Sequence, residues 1–456
     1  MLIRYSVGNF LSFKNKNVLE MAAIQSNDNF PSHIFYDDKY DFSMLKSAAI
    51  YGANASGKSN LIKSISFARN VILNGFKKIS TLDKHFRLDH TSSESPSFFR
   101  FEIKVGKNYY DYGFAVILKK KLIVEEWLFK RRKSGETCIF YRNQDFTSTK
   151  VSFKVFPNDK SKFKVYCDDI QSDQLILTEL SDKNWESSLK ELPKVLDWFK
   201  YNLGIVFPND NYGGITFITQ YKELEKYLDS FDTGIETVEL IEKDFDTWIK
   251  DLDEDVKNDI QNAAIDMEKQ NHGKNIPSDK PYAGLMLSIH ETPCLIELYK
   301  TKKTVKILSF KHLKDGNEIF ELINESDGTK RLVELIPLIH SLSKRNKTLI
   351  IDEIDRSFHP ALTKKIFEIF YNITKNNESQ LIVTTHDTNL LDLNFLRTDE
   401  IFFVDRESDK SSQIYSLAEF KNILTDDSLS VQYFKGRYGG IPLFGEFNKE
   451  EPCDEF

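Results

Sequence analysis

Between a short apolar run, Ala48-Ala49-Ile50-Tyr51, and a segment with helically spaced apolar residues lies the stretch GANASGKS, residues 52–59. No other feature constrains this chain as tightly. The pattern is G-x-x-x-x-G-K-S, with Gly52, Gly57, Lys58 and Ser59 in the required places. Glycines let the backbone curl so that successive N–H groups point inward at phosphate oxygens. A helix that starts there presents its positive dipole end to the same anion. Leu61, Ile65, Ala68 and Ile72 then repeat with helical spacing. The expectation is therefore a strand, a loop over Gly52, Ala53, Asn54, Ala55, Ser56 and Gly57, and a helix from Lys58. In that frame Lys58 reaches the β- and γ-phosphates of ATP, the Ser59 hydroxyl ligates Mg²⁺, and Asn60 continues the nucleotide-binding segment. A Gly/Ser/Asn loop that merely matches is the bland alternative, and the flanking strand and helix speak against it.

A phosphate loop does not separate a kinase, a GTPase and a motor, so the rest of the chain has to decide. Its 456 residues allow two or three domains. With 40% hydrophobic and 29% charged residues it has the balance of a globular protein that buries sizeable cores. Four cysteines, Cys138, Cys167, Cys294 and Cys453, are scattered without a C-x-x-C pair. That spacing argues against a zinc site or a disulfide framework and fits a reducing cytoplasm. No apolar run is long enough to span a bilayer, and MLIRYSVGNFLSF at the start reads as a strand rather than a targeting segment. A net charge of −7 gives no global basic footprint for nucleic acid, although a local patch stays open.

Along the chain, FFRFEIKV, YYDYGFAVIL, LIVEEWLFKRR and TCIFYRN alternate as strands and carry turn residues between them. They predict an antiparallel β-subdomain within an N-terminal region, residues 1–180. Residues 181–290, including the acidic run ELIEKDFDTWIKDLDEDVKNDI, are expected to form a helical insertion. Strands return at PCLIELYK and TVKILSF, opening a C-terminal region over 291–415 that completes the phosphate-loop domain, and an extension over 416–456 carries GRYGG. The acidic insertion reads as a solvated face and FKRRKSGET as an exposed hairpin tip. GRYGG is either a glycine-bracketed turn or a means of placing Arg437 on a partner or phosphate.

The second half of a site lies in KTLIIDEIDRSFHP, residues 347–360. An apolar strand delivers Asp352 and Glu353 at its C-terminal end, where parallel sheets place ligand groups. Asp352 suits Mg²⁺, and Glu353 suits the general base that orients attacking water. Pro360 opens a helix with Leu362, Ile366, Ile369 and Ile373 on one face. A further strand, QLIVTTHDTNLL, ends near His386, which in that position can hydrogen-bond a γ-phosphate. Upstream, NESDGTKRLVELIPLI starts a helix at Ser326, with Leu332, Leu335, Ile336 and Ile339 on one face. Ser326 is a good N-cap; alternatively Ser326 and Gly328 form an anion site at the helix start for a second protomer's nucleotide.

Phosphate loop, Ser-x-Gly helix start, strand-Asp-Glu and strand-His, in that order, are the parts of an ABC-type ATPase head. With GANASGKSNL, ESDGTKRL, DEIDRSFHP, TTHDTNLLD and FKGRYGGIP, nearly the whole chain resembles the RloA/AbiL-type, SMC/ABC-like ATPases of bacterial phage-defence loci. The ATPase subunit of the PARIS system is of the same broad kind. The resemblance implies an α/β P-loop head of ABC/SMC type with an antiparallel β-subdomain and a helical insertion. It implies ATP sandwiched between protomers of a homodimer or higher homo-oligomer, with Asp355 in the loop that crosses the interface. It also implies a phage protein as trigger and a separately encoded effector, often a TOPRIM-type nuclease. Two departures stand out: SDGTK is shorter than the transporter-type signature, and HFRLD, at 85–89, supplies no glutamine where one is usual.

Three rival readings remain. The separation of Ser59 from Ser326 is larger than a compact transporter subunit needs. A RecF- or SMC-type DNA-repair ATPase shares the head, although no sustained heptads provide a long coiled-coil arm. An ATP-gated scaffold with very slow turnover is the non-enzymatic alternative. The chain after His386 is expected to be too short for a nuclease domain of its own.

Overall fold

The alternating stretches form four consecutive antiparallel strands, Ser97–Val105, Asn108–Ile117, Leu122–Arg131 and Glu136–Asn143. Leu2–Gly8 and Asn17–Glu20 extend them on one side and Lys150–Val151 on the other, giving a seven-stranded antiparallel sheet. The computed structural model describes residues 1–24, 30–77, 79–143, 150–151, 157–210, 221–271, 277–278, 280–289, 292–313, 315–316, 318–421, 423 and 428–441. The expected hairpin tip is present: Arg132, Lys133, Ser134 and Gly135 are exposed, and the Arg132 N–H donates to the Gly135 carbonyl.

The phosphate-loop strand, Ser47–Tyr51, is buried at every position. Such a continuous run suits the middle of a parallel sheet, covered on both faces. It lies parallel between the histidine strand, Gln380–Thr384, and Ile401–Arg406. The full order of this six-stranded sheet is Leu203–Val206, Thr348–Ile351, Gln380–Thr384, Ser47–Tyr51, Ile401–Arg406 and Ser412–Ser416. The ends of its central strands carry the phosphate loop, the acidic pair and His386.

The phosphate-loop helix, Lys58–Asn74, buries Leu61, Ile65, Ala68 and Ile72, the face expected from their spacing. It is fastened to the antiparallel sheet by the Tyr5 hydroxyl, 2.8 Å from Ser64 Oγ, and by Phe67 against Phe10 and Phe99. Gln380 joins the two sheets: its side chain accepts from the Leu2 N–H and donates to the Leu2 and Leu45 carbonyls.

The chain divides into two compact units. The first comprises Met1–Ile205, Ile350–Ile354 and Glu378–Phe456, and holds both sheets described so far apart from Val206, Thr348 and Leu349. The second comprises Val206–Leu349 and Asp355–Asn377. Its own sheet runs in the order Thr237–Asp244, Lys303–Lys311, Thr292–Leu298, Ala283–Ile289, with Phe320–Glu321 pairing Lys303–Lys311. Phe245, Ile260, Ala264, Ile296, Leu298 and Val305 build its core against the helix Glu254–Asn271.

Two expectations need correction here. Residues 181–290 are mixed rather than helical: the acidic run enters on a strand, Thr237–Asp244, and Leu203–Val206 and Ala283–Ile289 are strands too. The helix Pro360–Ile373 does bury Ile366, but its covered face is completed by Thr363, Phe367, Phe370 and Tyr371. Leu362, Ile369 and Ile373 are only partly covered. The large aromatics take the core side, as their greater apolar area favours.

Candidate functional site

The phosphate loop is shaped by what surrounds it. Gly52 has φ 157°, and a Cβ there would stand 2.4 Å from the Val404 carbonyl oxygen. Gly57 has φ 120°, and its Cβ would meet Ser412 Oγ at 2.2 Å and Ser12 Oγ at 2.8 Å. Both positions therefore demand glycine on space as well as on backbone conformation. Ser412 braces the loop by donating to the Ser56 carbonyl, and Asn60 Nδ2 donates to Ser12 Oγ at 2.9 Å. The helix that follows has Gly57 as its N-cap and no side-chain cap, so its first-turn N–H groups face the loop. Lys58 is buried, with Nζ donating to the Gly52 carbonyl at 2.7 Å and the Ala53 carbonyl at 3.2 Å.

Above this loop lies a cavity of about 320 Å³. Asn54, Ala55, Gly57, Lys58, Ser59, Asn60 and Lys63 line it from the loop and helix; Glu353, His386 and Arg406 line it from the strand ends. Three cations against one carboxylate make it a receptor for a strongly anionic ligand. Gly52, Ala53 and Ser56 serve as the loop's frame and do not line it.

The acidic pair divides its work. Asp352 is buried, and its Oδ1 accepts from Ser59 Oγ at 3.2 Å and from Thr384 Oγ1 at 2.6 Å. It does not line the cavity and reaches it through Ser59. Glu353 is partly exposed on the cavity wall, with φ 53°, and its N–H donates to Thr384 Oγ1 at 2.8 Å. His386 is exposed on the same wall, while the next residue, Asp387, is held by its neighbours: its Oδ1 accepts from Asn389.

A hydroxyl and one carboxylate, both hard oxygen donors 3.2 Å apart beside an anion cavity, fit Mg²⁺. That ion characteristically takes one or two protein oxygens and completes its shell with phosphates and water. Among the described residues no group of three His, Cys, Asp or Glu could hold a metal by protein side chains alone. When bound through Ser59 and Asp352, Mg²⁺ would offset the negative charge of a nucleotide's phosphates.

Ser326, Gly328 and Asp355 belong to the second unit. Ser326 is the N-cap of the helix Asp327–Lys344; its Oγ accepts from the Thr329 N–H at 3.2 Å and lies 2.9 Å from Thr329 Oγ1. Leu332, Leu335, Ile336 and Ile339 are buried, as their spacing predicts. A Cβ on Gly328 would stand 3.1 Å from the Ser357 carbonyl oxygen, so this helix start packs closely on the loop after the acidic pair. In that loop the Asp355 carbonyl accepts from the Phe358 N–H and Arg356 donates to Asn209 Oδ1.

Sequence reasoning missed Lys63, Arg406 and Thr384. Lys63 was within reach of it, about one helical turn beyond Ser59 on the loop's own helix. Arg406 had no local signal: Phe403 pairs with Tyr51 across parallel strands, which brings Arg406 to the loop. GRYGG proves to be a glycine-bracketed turn, with Gly436, Gly439 and Gly440 all at positive φ. Tyr438 stacks on Phe403 at 5.9 Å, and the Gly440 N–H donates to Asp405 Oδ2 at 2.9 Å. Pro442, at the end of the FKGRYGGIP stretch, and Cys453 lie outside the described residues.

None of the curated proteins matches the sequence of this chain. Three solved structures are similar in fold at low identity, each over 91% of this chain. They are an SMC head bound to the C-winged helix domain of ScpA (TM-score 0.42, 15% identity, 97% of that chain), the SMC head domain from Thermotoga maritima (0.35, 13%, 98%), and an SMC head domain with an extended coiled coil bound to the C-terminal domain of ScpA derived from Pyrococcus furiosus (0.34, 16%, 96%). These likenesses are remote. The chain itself is mixed α/β: a six-stranded sheet carries the phosphate loop, the acidic pair and the histidine at its strand ends, and a seven-stranded antiparallel sheet accompanies it. Among the described residues no helix is long and apolar enough to cross a membrane. A family model described as "AAA domain, putative AbiEii toxin, Type IV TA system" matches residues 47–392, from the phosphate-loop strand past His386, and the chain belongs to that AAA-domain family.

Proposed function

We propose that this chain is a Mg²⁺-dependent ATPase that serves as the regulatory subunit of a bacterial anti-phage system of the abortive-infection kind. The observation that carries the catalytic part is the single cavity onto which Lys58, Ser59, Glu353 and His386 open, with Asp352 behind Ser59. Lys58 and Arg406 bind the polyphosphate, and Ser59 with Asp352 holds the metal. Glu353 draws a proton from the attacking water, and His386 donates to the γ-phosphate. The defence role is supported by the AbiEii-type description of the matching family and by the order of motifs resembling RloA/AbiL-type ATPases. In this reading two or more copies share composite sites through Ser326, Gly328 and Asp355. ATP turnover releases or arms a separate effector, of which a TOPRIM-type nuclease is the foremost candidate, when a phage protein is sensed in the cytoplasm.

The test has two arms. Purified chain should hydrolyse ATP only with Mg²⁺, and the rate should fall by roughly two to four orders of magnitude in Glu353→Gln. Cells carrying this gene with its neighbouring gene should restrict phage plating, and Lys58→Ala should remove that protection. Absence of hydrolysis removes the enzymatic reading; protection that survives Lys58→Ala removes the regulatory one.

A further inference from the structure

We infer that Thr384 is a positioning residue for both acidic groups of this site, setting the metal ligand Asp352 and the base Glu353 through one hydroxyl. The inference rests on the ATPase reading above. Thr384 is the last residue of the histidine strand and is fully buried. A threonine hydroxyl offers one donor and two acceptor positions. Here the donor goes to Asp352 Oδ1 at 2.6 Å and an acceptor position takes the Glu353 N–H at 2.8 Å. The Thr384 carbonyl in turn accepts from the Ile354 N–H at 3.1 Å. Three successive residues of the acidic turn are thus held by one residue of the neighbouring strand.

The middle residue is the one that needs holding. Glu353 has φ 53°, a backbone conformation that a residue with a Cβ rarely adopts unless its surroundings impose it. Its N–H is fixed by the Thr384 hydroxyl, and Ile354 behind it is buried and tied to the same strand. Without the hydroxyl, the Glu353 N–H loses its acceptor and the turn can relax toward negative φ. The carboxylate would then swing away from the cavity wall it now lines. Asp352 would keep Ser59 but lose its shorter partner, 2.6 Å against 3.2 Å. Two residues further along the chain His386 opens on the same cavity, so a single strand end registers base, metal ligand and histidine against one another.

The experiment compares Thr384→Val, which keeps the shape and removes the hydroxyl, with Thr384→Ser, which keeps the hydroxyl. Steady-state ATP hydrolysis is measured over ATP and Mg²⁺ concentration, with melting curves as the folding control. Thr384→Val should lower kcat about tenfold or more while leaving KM for ATP within about threefold, and should raise the Mg²⁺ concentration for half-maximal rate. Thr384→Ser should restore kcat to within about threefold of wild type. A folded Thr384→Val with wild-type kcat and Mg²⁺ dependence overturns the inference. So does a Thr384→Ser as slow as the valine variant, because packing would then be the cause. Should the valine variant melt early, Thr384→Ala against Thr384→Ser makes the same comparison. A wild-type chain that binds Mg·ATP without hydrolysing it removes the ATPase reading instead. Thr384 is then judged by the Mg²⁺ dependence of ATP binding, where an unchanged value in Thr384→Val overturns its role.

Discussion

Two long helices begin at small-residue motifs, Lys58–Asn74 after GANASG and Asp327–Lys344 after Ser326, and their first turns are completed in opposite ways. The first has a glycine N-cap that makes no side-chain cap bond, and its first turn lines the cavity with Lys58, Ser59 and Asn60. The second carries its own acceptor, Ser326 Oγ, already occupied by Thr329. A helix start without a side-chain cap, with Lys58, Lys63 and Arg406 lining the same cavity, presents positive charge to an anion. A self-capped start is stable by itself, and any anion it receives must compete with the cap. The same grammar of small residues before a helix therefore does not mean the same readiness to bind.

The largest effect expected from this contrast is at Lys58. Lys58→Ala should weaken ATP binding more than roughly a hundredfold, since charge-assisted hydrogen bonds to phosphate contribute about 1.5–3 kcal/mol each. Calorimetry checks this, and affinity near wild type would mean the open helix start is not the nucleotide site.

Next comes Glu353→Gln, which leaves the binding groups in place. Hydrolysis should slow by roughly two to four orders of magnitude, the usual worth of a general base, with ATP still bound. Rapid-quench turnover with a separate binding measurement distinguishes the two steps; turnover at the wild-type rate would move the base to another residue.

The capped helix is tested by a pair of variants. Ser326→Asp keeps an N-cap acceptor but adds a negative charge, so the melting temperature should hold. The ATPase rate should fall more than about tenfold if this helix end meets a second protomer's γ-phosphate. Ser326→Ala should instead lower stability by about 1 kcal/mol. Mixing Ser326→Asp with Lys58→Ala chains should then recover part of the activity in mixed oligomers. Full activity of Ser326→Asp alone would reduce Ser326 to its cap.

The smallest effect is expected at Arg406, an exposed cation on the cavity wall. Arg406→Ala should raise the Kd for ATP by about tenfold, the worth of a single charge-assisted contact, without changing the melting curve. Unchanged affinity would make it a solvated bystander.

How much of this was legible before folding depends on how far apart the cooperating residues are. The four strands between 97 and 143 could be read because alternation and turn residues are local signals, and hairpin pairing joins neighbours. Thr237–Asp244 could not. Its sequence, TVELIEKD, is acidic and by itself runs on into the helical pattern that follows. What makes it a strand is its partner, the lysine-rich Lys303–Lys311, and the ion pairs Glu239–Lys311 at 3.0 Å and Glu242–Lys302 at 2.8 Å around it. No window around residue 240 contains those lysines. The covered face of Pro360–Ile373 shows a milder version: the apolar period was right, but which flank lies inward was decided by the neighbour it packs against.

The site divides along the same line. The sequence alone determined where Gly52, Gly57, Lys58 and Ser59 stand in a strand–loop–helix and that Asp352 and Glu353 follow an apolar strand, because glycine spacing and apolar runs are local signals. Only the tertiary structure decided that Thr384 holds both acids, that Arg406 reaches the cavity and that Ser412 braces the loop. Those roles belong to residues hundreds of positions from the loop, or on adjoining strands, and come into being only when parallel strands set their ends side by side.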